Sequence, residues 1–301
     1  MKKFWKFILT IIIAVAAYGY EAYDFGSEAH EAVSLLQGQL EVKLLDVGHG
    51  DAILLRNQAV AILVDTGDYK NSDILVRRLK TLGVRKLDAL IITHHHLDHL
   101  GGVIKILNNF DVKNFYDNGI VNPQSEISKD VEKLILNGIL SRQILSAGQK
   151  LELADNINLK FLAPASKNGF PEKDLNNNSL VFKLQYGEFS MLFTGDIEAK
   201  TENDLVSRYG KKLQSTVLKV AHHGSSTSST YNFLKTVQPQ LALISCGDKE
   251  KYNHPNKKVL GTFEYLQIPV KVTSQNGEIT LRTDGEKYQV CLLYTSPSPR
   301  D

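Results

Sequence analysis

Short apolar runs recur along the chain from residue 41 onward, separated by polar turns. Several runs are apolar throughout, which is typical of strands that are covered on both faces. The pattern predicts strands at residues 41–46, 52–56, 61–65, 89–93, 158–162, 180–185, 190–194, 216–221, 241–245 and 278–282.

Amphipathic stretches between these runs predict helices at residues 72–82, 127–140, 198–209, 230–237 and 256–266. Gly187-Glu188 and Asp284-Gly285 are predicted hairpin turns. The predicted strands fall into two batches, each mixed with helices, and no charge run or Pro/Gly-rich linker separates the batches. We therefore expect residues 41–290 to form one α/β domain.

The N-terminus combines a basic start with an apolar run. Two lysines follow Met1, and residues 7–17 (FILTIIIAVAA) form the run, an order typical of an export signal. The run is short for a bilayer span, yet its only small-residue cleavage pattern, AVA, lies inside it. We expect residues 1–26 to be either a cleaved signal peptide or a retained membrane anchor. The protein is then exported, and is either secreted or held on the outer face of the cytoplasmic membrane.

The C-terminal residues 291–301 (CLLYTSPSPRD) back-translate to a sequence that resembles a transposase sequencing adapter. We predict that these residues are not native and that they do not belong to the domain. Cys246 is then the one native cysteine, so no internal disulfide is expected.

Composition bounds the class of protein without naming a substrate. A hydrophobic fraction of 43% is enough for a sizeable core. A formal net charge of +2 is too small to imply, by itself, a nucleic-acid or membrane partner. No protein partner is predicted.

Residues 93–99 (THHHLDH) carry the most informative chemistry, because they follow an apolar strand and precede a predicted helix. Residues two apart on extended backbone face the same way, so His94 and His96 can converge on one cation. As the chain turns toward the helix, Asp98 and His99 can face a second cation. Imidazole and carboxylate ligands suit zinc, manganese or iron. The alternative, histidines on a solvated loop or satisfied in a core, fits poorly, because such ligands are costly to bury without a metal.

This segment is the signature of the metallo-β-lactamase superfamily, and the chain closely resembles one branch of it, the hydrolase domain of the competence protein ComEC. The resemblance implies an αββα sandwich with the metals in a cleft at one edge. The other pieces that carry it are LDVGHGDA at residues 45–52, VDTG at 64–67, NNNSL at 176–180, FTGDIE at 193–198, KVAHHGS at 219–225 and NHP at 253–255.

The resemblance also implies a ligand set. Asp196 of the TGD motif is expected to bridge two divalent ions, zinc or manganese, and a histidine of the HHGS motif completes the site. We favour His222 and keep His223 as the alternative. Many members of the superfamily have a further ligating histidine before the TGD strand, where this chain has asparagines at residues 176–178. One metal is therefore expected to be bound more weakly.

Three acidic residues are expected to support the site without ligating. Asp65 is predicted to hydrogen-bond and orient the histidine loop. Asp46 and Asp51 either shape the same region or are plain turn residues.

Two such cations can share a hydroxide, lower its pKa and stabilise the leaving oxygen. Asp98 can orient the attacking water, and His254 can contact a phosphate or protonate the leaving group. His223, Ser225 and Ser226 can bind an anionic oxygen before a helix start, although simple helix capping is the alternative for the serines.

These features favour a metal-dependent hydrolase acting on a phosphodiester, either DNA or another extracellular phosphate ester. The first alternative is an acyl hydrolase such as a lactonase, thioesterase or β-lactamase. The second is a non-catalytic binding module with a structural metal.

Overall fold

The computed structural model describes residues 38–154, 157–165, 170–247 and 253–292. Within them, two β-sheets stack face to face, and helices cover the outer face of each sheet. The segment predicted to be a signal or anchor, residues 1–26, lies outside the described residues. Among the helices that are described, none is long and apolar enough to cross a membrane.

The first sheet joins both ends of the described chain. In its spatial order, the first five strands pair antiparallel with one another, and the fifth to eighth strands pair parallel. The spatial order is β17 (Tyr288–Leu292), β16 (Ile279–Thr283), β1 (Leu40–Leu44), β2 (Ile53–Arg56), β3 (Ala61–Val64), β5 (Ala89–Ile91), β7 (Phe115–Asp117) and β8 (Arg142–Ile144).

The second sheet is parallel on one side and antiparallel on the other, and its fourth strand lies at the change of direction. Its order is β15 (Val270–Val272), β14 (Leu241–Ile244), β13 (Val217–Lys219), β12 (Phe189–Phe193), β11 (Val181–Tyr186), β10 (Ile157–Ala163) and β9 (Lys150–Ala154). A separate pair consists of β4 (Lys86–Leu87) and β6 (Asp111–Val112).

Helices pack on both outer faces. Those on or beside the first sheet are α1 (Ser72–Thr81), α2 (Leu97–Leu100), α3 (Val103–Asn109) and α4 (Glu126–Leu136). Those of the second half are α5 (Ala199–Tyr209), α6 (Tyr231–Val237), α7 (Lys257–Tyr265) and α8 (Thr273–Asn276). Short 3₁₀ turns lie at Tyr69–Asn71, Gly210–Leu213 and Ala221–Gly224.

Three apolar layers follow from the alternation of side chains along the strands. Val42 and Ile91 of the first sheet meet Phe161 and Phe182 of the second in the central layer. The outer layers lie between each sheet and its helices. This arrangement is the predicted αββα sandwich.

The ten predicted strands and five predicted helices are all present, with ends shifted by a few residues. The helix predicted at 127–140 is too long, because the chain leaves it after Leu136 and Gly138 adopts a φ of +69°. The elements that sequence reasoning missed are mostly short strands at the sheet edges, such as β8 and β15. Cys291 and Leu292, assigned to the adapter, pair with β16 in the last strand.

Candidate metal centre

The loops that follow four strands meet at one edge of the sandwich. The histidine segment follows β5 and Asp65 follows β3, which is parallel to it. The TGD turn follows β12 and the HHGS segment follows the parallel strand β13. Because parallel strands end at the same edge of a sheet, each sheet delivers two of these loops to the cleft.

Four side chains from both sheets form one compact cluster. Asp98, His99, Asp196 and His223 each offer a ligand atom, and these atoms lie within 4.8 Å of one another. Asp196 Oδ2 lies 3.2 Å from His99 Nε2 and 3.3 Å from His223 Nε2. Asp98 Oδ2 lies 3.3 Å from the same His223 nitrogen.

The donor atoms of this cluster fit a cation. Among the described residues, His99 Nε2, His223 Nε2 and Asp196 Oδ1 are buried without a hydrogen-bond partner. Unpartnered buried polar atoms are unfavourable, and three of them on side chains of one compact cluster indicate that the cluster binds a ligand. Imidazole nitrogens and carboxylate oxygens are the donors that zinc and manganese accept.

A second pair of imidazoles lies beside this cluster. His94 Nε2 and His96 Nδ1 approach to 3.0 Å, and the rings of His94 and His99 are 4.2 Å apart. His95 turns the opposite way, where its ring contacts Ser128 and Asp117 in the interior. The alternation expected of extended backbone therefore separates His95 from its two neighbours.

The HHGS motif places His223, and not the favoured His222, in the cluster. The side chain of His223 is 1% exposed and that of His222 is 22% exposed. His222 Nε2 lies 4.0 Å from Asp196, while its Nδ1 faces Glu198 and Thr227. A left-handed turn, with φ of +51° at His222 and +53° at His223, points the two side chains in different directions. The geometry therefore favours the alternative, His223, over His222 as the ligand.

Asp65 makes the contacts expected of it. Its carboxylate accepts hydrogen bonds from Thr93 N at 2.7 Å and Thr93 Oγ1 at 2.8 Å. It also lies 2.8 Å from His99 Nδ1. A proton held between Asp65 and Nδ1 leaves the Nε2 lone pair of His99 directed at the cluster.

Burial and neighbouring charge set the protonation of the histidines. Burial alone lowers the pKa of His223, but the Asp196 and Asp98 carboxylates outweigh it and raise that pKa to about 10. The pKa of His99 is raised well above its ordinary value, because Asp196 and Asp65 outweigh burial in the same way. Burial and His99 instead lower the pKa of His94, which keeps its ring neutral. Cation binding at His99 and His223 would therefore release protons.

The helix start after the HHGS motif is already occupied by a carboxylate of the chain. The buried Glu202 carboxylate accepts hydrogen bonds from Ser229 N at 2.5 Å and Thr230 N at 2.8 Å, and Thr230 caps helix α6. Those amides are therefore occupied by a carboxylate of the chain itself. Ser225 is buried, with its hydroxyl bonded to Thr227, and Ser226 is exposed.

A rim of imidazoles adjoins the cluster. The ring of His254 lies 5.8 Å from the rings of both His49 and His222. The ring of His49 lies 4.6 Å from that of His223, and its Nε2 is 3.7 Å from Asp98 Oδ2. His254, which was predicted to act on the substrate, is thus beside the candidate metal ligands.

The sequence indicated Asp51 as a residue that could shape this region, but it did not identify Ser245, Lys219 or His49. Ser245 O accepts a hydrogen bond from His223 Nδ1 at 2.9 Å, so His223 directs its Nε2 to the cluster. Behind it, Lys219 and Asp51 form a buried ion pair of 2.7 Å. The VGHGD and KVAHH motifs contain His49, Asp51 and Lys219. The local sequence of these motifs does not indicate that the three side chains lie close together.

The family model described as the metallo-beta-lactamase superfamily matches residues 45–248, and the chain belongs to this superfamily. With its candidate metal-binding residues, it is a metal-dependent hydrolase of that superfamily.

The chain is similar to ComE operon protein 3 of Bacillus subtilis (strain 168), with 30% identity over 82% of this chain and 33% of that protein. It is also similar to Competence protein ComA of Neisseria gonorrhoeae, with 34% identity over 90% of this chain and 36% of that protein. The chain therefore spans about a third of the length of these relatives. The resemblance seen in the sequence motifs is confirmed.

The crystal structure of the metallo-beta-lactamase fold protein YhfI from Bacillus subtilis superimposes with a TM-score of 0.51. The two are 14% identical, over 78% of this chain and 95% of that one, so the likeness shows a shared fold.

Proposed function

We propose that this chain is a phosphodiesterase that acts on DNA or another extracellular phosphate ester with two divalent cations, zinc or manganese. The observation that carries the proposal is the set of unpartnered, buried donor atoms of His99, His223 and Asp196 beside a rim of three imidazoles. One of the two relatives is a competence protein, which supports a nucleic-acid substrate.

Two groups of residues would hold the cations. His94 and His96 form one group, and Asp98, His99 and His223 form the other, with Asp196 lying against the second. When bound, such cations lower the pKa of water and stabilise negative charge on displaced oxygens.

The imidazole rim supplies contacts to the substrate. Burial, with smaller effects from His223 and His222, lowers the pKa of His254, so its ring is neutral at neutral pH. Its Nδ1 is buried without a hydrogen-bond partner among the described residues. A neutral imidazole in this place donates a hydrogen bond to a phosphate oxygen, which orients the ester over the carboxylates of Asp98 and Asp196.

We also propose that the activity is extracellular. The basic start and apolar run of residues 1–26 support export, whether the segment is cleaved or retained as an anchor.

The test uses the full chain, stripped of metal with a chelator and reloaded with zinc or manganese. Hydrolysis of bis(4-nitrophenyl) phosphate and of a fluorescent single-stranded DNA is compared with hydrolysis of a lactone and a β-lactam. Asp196→Ala is expected to lower phosphodiester turnover more than about 100-fold, the upper end of the loss seen for residues that only support metal ligands.

Asp130→Ala is the matched control, because Asp130 lies exposed on α4 and pairs with Lys133. It should retain the activity, and circular dichroism should show both variants folded. Turnover confined to the lactone or the β-lactam would replace the phosphodiesterase by an acyl hydrolase. Tight binding of one cation with no turnover of any substrate would indicate a non-catalytic module.

A further inference from the structure

Lys219 is a lysine buried between the two sheets. It is the last residue of β13, where alternation puts its side chain on the same face as Val217, which packs in the central layer. Its side chain is only 1% exposed. A buried ammonium is unfavourable unless a carboxylate and further hydrogen-bond acceptors surround it. This lysine therefore needs partners inside the protein.

Asp51 of the VGHGD motif supplies the counter-charge. Its Oδ2 lies 2.7 Å from Lys219 Nζ, which also donates to Val220 O at 3.0 Å. The carboxylate belongs to a second buried group of potential metal ligands, Asp51, Asp65 and His99, whose ligand atoms lie within 4.8 Å of one another. The ammonium compensates negative charge in this group, so the group needs no cation of its own.

The backbone of Asp51 attaches the ion pair to the first sheet. Asp51 N donates to Asp98 O at 3.1 Å, and Asp51 O accepts from Gly67 N at 2.8 Å. Gly50 lies against the same turn, where a Cβ would overlap Asp98 O, so no larger residue fits. The position of Asp51 is therefore fixed relative to the turn that carries Asp98.

The backbone of Lys219 attaches the ion pair to the second sheet. Lys219 O accepts a hydrogen bond from Thr194 Oγ1 at 2.6 Å, directly at the TGD turn. His223 follows in the same segment as the lysine, and its Nδ1 lies 3.7 Å from Asp51 Oδ1. The ion pair therefore connects the Asp98 turn of the first sheet with both ligand loops of the second.

We propose that Lys219 and Asp51 are a positioning pair, which holds the candidate ligands of the two sheets at the separation that a cation needs. This inference rests on the proposed cation site. The ligands face each other across the cleft, where Asp98 Oδ2 lies 3.3 Å from His223 Nε2. A change in the contact between the ammonium and the carboxylate moves one side of the centre relative to the other.

A buried ion pair of this kind contributes more to geometry than to stability. Replacing both charges together by groups of similar volume is often neutral for stability, because the cost of dehydrating two charges offsets their attraction. The specific contact between the two sheets is nevertheless lost. Stability and metal binding are therefore expected to separate in a variant that replaces both residues.

The experiment compares two buried ion pairs of the same chain. The test variant is Asp51→Asn/Lys219→Met. The control is Glu41→Gln/Arg56→Met, because Glu41 and Arg56 form a buried ion pair of 2.8 Å at the opposite end of the first sheet. Lys219→Arg, which keeps the charge opposite Asp51 but changes the contact, is the third variant.

The full-length proteins are stripped of metal before measurement. Zinc affinity is determined by competition with a chromophoric chelator. The d–d absorption of bound cobalt(II) reports the geometry of the ligands, which a merely structural role would leave unchanged. Urea denaturation gives the free energy of unfolding of each metal-free protein.

Asp51→Asn/Lys219→Met is expected to bind zinc about tenfold more weakly or worse, with a changed cobalt(II) spectrum. Its metal-free free energy of unfolding should stay close to that of wild type. Glu41→Gln/Arg56→Met should keep the wild-type zinc affinity and spectrum. Lys219→Arg should shift the spectrum and lose less affinity than the test variant, and it tests the inference even where the test variant does not fold.

Wild-type zinc affinity and spectrum in the folded test variant would overturn the inference, as would an equal loss of affinity in the control. An unshifted spectrum in Lys219→Arg would do the same. Wild type that binds zinc but hydrolyses no phosphodiester would refute the proposed phosphodiesterase and leave the positioning pair standing. Wild type that binds no cation would refute both.

Discussion

The two histidines of the HHGS motif show how one backbone conformation selects a ligand. His222 and His223 both have positive φ, a conformation that costs a residue with a side chain on the order of 1–3 kcal/mol. Surrounding hydrogen bonds hold it, from His222 N to Gly195 O at 3.1 Å and from His223 Nδ1 to Ser245 O at 2.9 Å. The strain is therefore found where the turn directs one imidazole into the cluster and leaves the other on its rim.

The different directions predict different losses. His223→Ala should lower cation affinity by more than about 100-fold, because it removes a group that lies against both Asp98 and Asp196. His222→Ala should change affinity by less than about tenfold. Isothermal titration with zinc measures both variants, and equal losses would contradict the assignment of His223.

At the scale of elements, a buried ion-pair network ties helix α1 to the first sheet. Glu278, just before β16, accepts two hydrogen bonds from Arg78 of α1 and lies 2.8 Å from Lys43 Nζ of β1. Lys43 is fully buried, and the Glu278 carboxylate compensates part of the cost of burying its charge. Glu41 of the same strand pairs in a similar way with Arg56 and Arg282.

The network makes part of the stability dependent on pH. Burial raises the pKa of Glu278, but Arg78 and Lys43 outweigh it and lower that pKa below its ordinary value of 4.5. The folded state then binds this proton less readily than the unfolded state. The stabilisation is present above pH 4.5 and is lost as the pH falls through the lowered pKa.

Glu278→Gln should therefore lower the free energy of unfolding by about 3 kcal/mol at pH 7, because it removes the carboxylate that pairs with both Lys43 and Arg78. The difference from wild type should shrink as the pH falls below 4.5. Urea denaturation across this range measures it, with the exposed Glu286→Gln as the control. A difference that is constant with pH would rule out the ion pair as its source.

At the scale of the whole molecule, the candidate centre joins the two halves of the sandwich. Asp98 and His99 come from the first sheet, and Asp196 and His223 come from the second. A cation bound by all four holds the loops of both sheets together. Cation binding should thus stabilise the entire fold and not the loops alone.

Zinc at 100 times its dissociation constant should raise the free energy of unfolding by about 2.7 kcal/mol. A chelator should reverse the gain, and Asp196→Ala should abolish it. Differential scanning calorimetry with and without metal checks this prediction. An unchanged transition in saturating zinc would mean that the cluster does not hold a cation in the native state.

The local pattern of apolar and polar residues determines most of the secondary structure of this protein, independently of how the elements pack. Ten strands and five helices follow from periodicity along the chain. The helix predicted at 127–140 differs mainly at its end, because it stops at Leu136, two residues before Gly138. The histidine segment was recognisable for the same reason. Its ligand atoms lie within a few residues of one another, and alternation on extended backbone separates His95 from His94 and His96.

The tertiary structure decided which of several equivalent residues acts. His222 and His223 are adjacent residues of the same type. Ser245, directly after the neighbouring strand β14, accepts the hydrogen bond that holds the inward-facing imidazole of His223. The Glu202 carboxylate occupies the N-terminal end of helix α6, a position at which the sequence alone could not exclude an external anion. Sequence patterns report local geometry, whereas each of these choices depends on groups that are far apart in the chain and meet only after both sheets have packed.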